Sequence, residues 1–297
     1  MEVYGARGAA PISLSLYEDL FLPMTTPSTK ASPTEASTSN TENPLRRVVV
    51  HNHKGGTGKT MFAVHLAEFM ADQGQPWHVL DADDQCNAIA WLTAHAWEGE
   101  ESILLPGKGR REEMVVTVNP SVGAQSDHLV VDTPPEANAL ADLQQAGIGL
   151  GPKDLLVCPV SGRFGIDGAI KVAEEANQFG CRVVAVLNMT DPKDPHAAEE
   201  IKAVRELEKV EDLGIEVFKM AIPRNDKYIR EAELKGEPAW DLAHAGRTHT
   251  VQALRAFVRW VAQGAPPEAN QMGALAPEES SAEKASRVNE LQDRLWG

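Results

Sequence analysis

Positive charge, cysteine and long apolar runs are all scarce in this sequence, and each shortage excludes something. Lys and Arg number 28 against 43 Asp and Glu, a formal net charge of -15. No global basic field for nucleic acid exists, although a local basic patch is compatible with that total. The three cysteines are Cys86, Cys158 and Cys181. No two stand in C-x-x-C spacing, which argues against a zinc or redox motif. Lone thiols suit a reducing cytosol, so a cytoplasmic setting is expected. No apolar run approaches the ~20 residues that span a bilayer. The N-terminus lacks a basic stretch followed by an apolar core, so no signal peptide is expected. Acidic Glu2, Glu18 and Asp19 argue against an organelle transit peptide.

What is present falls into three parts. Residues 1–45 read as a disordered tail, because the Ser/Thr/Pro-rich stretch at 25–44 cannot bury enough apolar surface to offset its ordering entropy. Residues 46–263 alternate apolar runs with helical patterns. Residues 264–297 read as a linker and an amphipathic C-terminal helix. Strands are expected at 48–50, 77–81, 128–132, 154–160, 182–188 and 216–222. Helices are expected near 59–73, 136–147, 165–179, 196–212, 226–235 and 248–263. In the first helix Phe62, Leu66, Phe69 and Met70 share one face. Region 95–127 offers one short strand, EMVVTV, and little else. The alternation implies an α/β fold, a mostly parallel twisted sheet with helices on both faces.

The stretch HNHKGGTGKT at 51–60 follows the first strand. The common phosphate loop reads G-x-x-x-x-G-K-[ST]. Gly58, Lys59 and Thr60 fit its end, but His53 stands where the first glycine would be, and a second lysine, Lys54, lies inside. Gly55, Gly56 and Gly58 let backbone N–H groups turn toward one point, and the helix from Lys59 adds its positive end. Lys59 is expected at the β- and γ-phosphates and the Thr60 hydroxyl on Mg²⁺. VLDADDQCN at 79–87 carries Asp81 and Asp83, acids at i and i+2 of a strand end, expected to point the same way. HLVVDTPPE at 128–136 is an apolar run ending in Asp132, suited to holding a water on Mg²⁺.

K-G-G-T-G-K-T resembles the deviant Walker A motif of the ParA/MinD family, and VVDTPP resembles the second switch of ParA-type ATPases. The resemblance covers about residues 46–262 and implies a P-loop ATPase with ATP and Mg²⁺ as cofactors. It further implies a nucleotide-sandwich homodimer, in which Lys54 reaches the partner's phosphates, and an activating partner of the ParB type. A cation supplied from outside stabilises charge that develops in phosphoryl transfer. By the same resemblance Lys54, Lys59 and Asp83 are catalytic, with Asp83 positioning the attacking water. Residues 54–61, including Thr57 and Met61, hold nucleotide, and Thr60, Asp81 and Asp132 hold the metal. Asn188 in VLNMTD would read the adenine edge, and Pro223 in IPRND would line the adenine pocket. Asp84 departs from the family's D-x-D-P-Q pattern, where proline is usual. About 50 residues separate Asp81 from Asp132, short for the family, which suggests a trimmed plasmid- or conjugation-associated member.

Two function classes follow. In one, slow ATP hydrolysis positions or partitions DNA or another cargo, with nonspecific DNA held by Arg224, Lys227, Arg230 and Lys235; Glu231, Glu233 and Glu237 dilute that patch. In the other, a MinD-like switch docks on a membrane or a protein scaffold, or a regulatory module of a conjugation system binds ATP with negligible hydrolysis. The C-terminal SRVNELQDRLWG is amphipathic, but its mixed charges suit a partner surface better than anionic lipid.

Overall fold

The run Val48-Val49-Val50 has no polar alternation, a pattern that only a strand covered on both faces tolerates. The computed structural model describes residues 45–74, 77–107, 113–191, 194 and 196–265. In it this run forms β1 (Arg47–Val50), buried throughout. The N-terminal tail and the C-terminal amphipathic stretch lie outside the described residues.

After β1 come α1 (Lys59–Asp72), β2 (His78–Asp81), α2 (Asn87–Leu92), β3 (Ser102–Leu105), β4 (Met114–Thr117), α3 (Pro120–Ala124), β5 (Leu129–Asp132) and α4 (Ala139–Gln145). Then follow β6 (Asp154–Val160), α5 (Gly162–Phe179), β7 (Arg182–Thr190), α6 (Ala197–Leu207), β8 (Ile215–Val217), β9 (Ile222–Pro223), α7 (Asp226–Lys235) and α8 (His249–Ala262). The sheet order is β3-β4-β2-β5-β1-β6-β7-β8, with β9 paired to the far end of β7. Only β3 runs antiparallel, against β4. Val48 and Val50 point into a core shared with α1, α2 and α8. Val49 points into a second core with α4, α5 and α6. This alternation within a wholly apolar strand is the three-layer fold expected from the sequence.

Three expectations need correction. Helix α1 does not bury one face only: every residue from Met61 to Ala71 is buried. Helix α8 covers its outer side, Phe62 meeting Phe257 edge to face at 5.1 Å. Residues 216–222 do not form one strand. The chain leaves β8 at Phe218, whose ring packs on Phe257 and Trp260, and pairs again as β9 across a bulge at Asn188–Thr190. Region 95–127 holds two strands and a short helix rather than one strand. The missed strand, β3, is a sheet edge with Leu104 exposed, so it lacks the buried alternation by which strands are recognised.

His65 locks α1 from outside. Its Nδ1 lies 2.6 Å from the Met61 carbonyl, and its Nε2 accepts the Ala239 N–H at 3.0 Å. Burial pushes its pKa down to about 4, the Met61 carbonyl opposing only in part. The neutral ring is the native form. Its stabilisation is complete above the unfolded value of 6.5 and is lost as pH falls toward 4. Urea titrations at pH 7.5 and pH 4.5 should show His65→Gln less stable at the higher pH. Its loss on acidification should be smaller than that of the parent by up to about 3 kcal/mol.

Candidate nucleotide site

Parallel pairing puts three strand ends in one row: Val50 lies opposite Asp132, and Asp132 opposite Asp81. The loop from His51 to Gly58 therefore leaves β1 directly beside two carboxylates. Gly56 and Gly58 have φ of 75° and 96°, the left-handed region that favours glycine. At Gly58 a methyl group would also collide with the Asn188 amide. Helix α1 starts immediately afterwards, with no side-chain cap and no acid in its first turn. Its N–H groups are left for an anion.

Asn52 staples the loop from below. Its Nδ2 donates to the Pro159 carbonyl at 2.8 Å and the Gly165 carbonyl at 3.0 Å, and its Oδ1 accepts the Lys54 N–H at 2.8 Å. From above, Asn188 Nδ2 donates to the Thr57 carbonyl at 2.8 Å. The loop thus holds its shape through two buried asparagines.

A cleft of about 760 Å³ opens over the loop. Gly55, Gly56, Gly58, Lys59 and Thr60 form one wall, Asp83 and Asp84 another, and Pro134, Pro135 and Glu136 a third. Met189, held at φ 58° in the β7 bulge, closes it. Lys59 is buried, its Nζ 3.4 Å from the Lys54 carbonyl. Burial lowers its pKa, while Asp132, Asp83 and Glu136 hold its charge. Lys54 is exposed on the rim, and its side chain has no ion-pair partner among the described residues.

The two strand-end acids do different things. Strand β2 stops at Asp81, so Asp81 and Asp83 do not share a strand face as expected. Asp81 turns inward, accepting the Ile89 N–H at 2.9 Å and the Asp83 N–H at 3.3 Å. Asp83 lies in the following turn and faces the cleft. Burial, against the hydrogen bonds from α2, pushes the Asp81 carboxyl up to about 6. Asp132 is pushed up to about 8, first by burial and then by Asp81, while Thr60 and Lys59 oppose. Thr60 lies close enough to favour the Asp132 charge, yet neither carboxylate oxygen has a hydrogen bond of normal geometry. Two orphaned buried oxygens beside a hydroxyl and a second carboxylate are the donor set of a hard divalent cation. The residues present therefore fit Mg²⁺ held by Thr60, Asp81 and Asp132.

Other expected residues are placed differently. Met61 is buried in α1 beside Gly58. Asn188 is buried and donates one Nδ2 hydrogen to the loop, and Pro223 sits in β9, outside the residues that line the cleft. Of the basic candidates, Arg224 pairs with Asp226 at 2.9 Å and Lys235 with Glu231 at 2.8 Å. Lys227 lies over the Tyr228 ring at 5.2 Å, and Arg230 is exposed. The bracing by Asn52 and the contact of Thr133 with His51 were not anticipated, since no sequence spacing announces either.

A strand, a glycine loop and a helix N-terminus over paired carboxylates define a P-loop nucleotide-binding fold. Residues 48–239 match the family described as CobQ/CobB/MinD/ParA nucleotide binding domain, and the chain belongs to that family, in the ParA/MinD ATPase group. The chain is 33% identical over 106 residues to the chromosome-partitioning ATPase Soj of Thermus thermophilus, a match covering 36% of this chain and 39% of that protein. The match thus spans well under half of that relative. The fold superposes on an ATP complex of a singly substituted McdA from Cyanothece with a TM-score of 0.56 at 15% identity, covering 79% of this chain and all of the other. MinD of Pyrococcus horikoshii complexed with Mg-ADP gives 0.53 at 16% identity, covering 76% and 99%.

With its pKa pushed up to about 8, Asp132 must take up a proton on folding at pH 7 in the nucleotide-free protein, a cost that an Asn in its place avoids. Asp132→Asn should raise the stability of nucleotide-free protein by roughly 2 kcal/mol, read from its thermal midpoint, while abolishing magnesium-dependent nucleotide binding.

Proposed function

We propose that this chain is a ParA-like ATPase that binds ATP with Mg²⁺, closes into a nucleotide-sandwich dimer and hydrolyses ATP slowly to position DNA or another cargo. The observation that carries this reading is the pair of lysines, one buried under the phosphate cleft and one free on its rim. Lys59, backed by Asp132 and Asp83, is suited to the chain's own nucleotide. Lys54 is exposed, its side chain without an ion-pair partner among the described residues, while its main chain is fixed by Asn52. A fixed backbone under a free cation suits a group offered to a second molecule.

Magnesium, when bound, would neutralise phosphate charge between Thr60, Asp81 and Asp132. The chain's own residues supply the rest. The free N–H groups of the loop and of α1 receive the phosphates. Asp83, facing the cleft, is the candidate that orients the attacking water. Pro134 and Pro135 stiffen the segment after Asp132, whose position can then follow the γ-phosphate. Asp84 faces the same cleft and adds negative charge where the family usually has proline, which suits slow turnover. The ATP complex of McdA and the Mg-ADP complex of MinD support the choice of ligand.

For the cargo, one observation favours a protein scaffold as a second reading. Two of the four basic candidates are neutralised by acids, so the DNA patch is weaker than its sequence suggests. The pairs add little stability, being exposed and screened by solvent, but they offset the positive charge of that surface.

Lys59→Ala should lose nucleotide binding and hydrolysis together. Lys54→Ala should keep nucleotide binding within about threefold, yet lose dimerisation and at least about 100-fold in turnover, as loss of a transferred cation does. Undiminished hydrolysis by the Lys54 variant would sink the dimer reading. In co-sedimentation with a non-hydrolysable ATP analogue, DNA binding that weakens steeply with salt supports the DNA reading. Absent or salt-insensitive binding favours the scaffold.

A further inference from the structure

Behind the phosphate loop, on the side of α5, three residues with no part in the nucleotide site converge. One nitrogen each of His51 and His53 and one oxygen of Glu175 all lie within 4.8 Å of one another. The two rings meet edge to face at 5.0 Å. The Thr133 hydroxyl donates to the Val50 carbonyl at 2.9 Å, so its lone pair is free to accept the His51 Nδ1–H at 2.7 Å. This fixes the tautomer: Nδ1 carries the proton and Nε2 is a bare lone pair. That Nε2 is buried without a hydrogen-bond partner. Burial, then His53 and Lys59, holds the His51 pKa down to about 3, with the Pro134 carbonyl opposing in part, so the ring stays neutral. His53 Nε2 lies 2.9 Å from Glu175 Oε1, but off the line of a normal hydrogen bond, and Glu175 Oε2 is also unpartnered. Two unmet buried acceptors, His51 Nε2 and Glu175 Oε2, beside the His53 imidazole are costly unless a positive centre meets them.

We propose that His51, His53 and Glu175 form a binding site for one divalent transition-metal ion of the zinc class, separate from the magnesium ligands. Two imidazoles and one carboxylate suit zinc or cobalt, whereas magnesium prefers an all-oxygen set. Three protein ligands leave a fourth position open. A tetrahedral ion with bonds of about 2.0 Å needs its ligands about 3.3 Å apart, so the cluster must tighten slightly. His53 and Glu175 have side chains 12% and 28% exposed and can make that adjustment, whereas His51 is held by Thr133 as outer-shell partners hold metal histidines. The bound ion would pin three segments together. His53 directly precedes Lys54, Glu175 belongs to α5, and Thr133 directly follows Asp132.

The test uses full-length protein stripped with a chelator, free of nucleotide, and titrated with cobalt(II) and then zinc(II). One cobalt per chain should give a visible d–d band of nitrogen and oxygen ligation. Zinc should displace it and raise the thermal midpoint. Glu175→Gln and His53→Gln, isosteric or nearly so and partly exposed, should each weaken zinc at least about tenfold and remove the thermal gain, with circular dichroism unchanged. Lys59→Ala should bind zinc like the parent, which separates this site from the nucleotide reading. Three results would overturn the assignment: no d–d band, displacement of cobalt by millimolar magnesium, or equal zinc affinity in the parent and both ligand variants.

Discussion

Parallel register sets two carboxylates side by side at the buried C-terminal ends of two central strands, and the rest of the molecule accommodates that pairing. Asp81 and Asp132 occupy adjacent, directly opposed positions on β2 and β5, each nearly inaccessible to water. Like charges so close raise one another's pKa on top of the effect of burial. The fold tolerates this because the flanking layers bury apolar side chains on both faces of every central strand. Lys59 and the unspent start of α1 supply positive potential, but neither makes a direct bond to the Asp132 oxygens. The site is therefore organised around two crowded buried carboxyls, a strain that the proposed Mg²⁺ and nucleotide would relieve together.

The fold was largely legible because its central strands are continuous apolar runs and its loops carry glycine where the backbone turns left-handed. The placement of loop residues 54–60 beside the acids at 81 and 132 was legible for the same reason: it depends on backbone geometry and strand ends, which local sequence specifies. What escaped reading depends on tertiary neighbours. Edge strand β3 has no buried face to generate a pattern. Helix α1 reads as amphipathic because helix α8, nearly 200 positions later, covers its outer side. Asn188 also braces the loop through the Thr57 carbonyl, a contact between positions 131 apart that no local pattern announces.

Asn52 and His53 show how much can be fitted behind a phosphate loop when a glycine is surrendered. A methyl group on Gly168 would strike the Asn52 amide oxygen, so α5 carries glycine where the loop leans on it. Seven residues further along the same helix, Glu175 meets His53. The loop is thus attached to α5 by two side chains in succession, and to the segment after β5 through His51 and Thr133. Its underside is a polar interface within an otherwise apolar layer, which gives the loop a defined orientation that apolar packing alone leaves looser.

The full burial of α1 makes the nucleotide loop and the end of the domain interdependent. A surface helix can tilt when the loop before it changes shape. This one cannot move without displacing Phe257 and the rest of α8, because their rings interlock. The segment that begins at the phosphates and the segment that closes the domain behave as one mechanical beam. Substitutions along α8, remote from any phosphate, will consequently drift only in step with those in α1, and a graft of the loop into another scaffold must carry both helices.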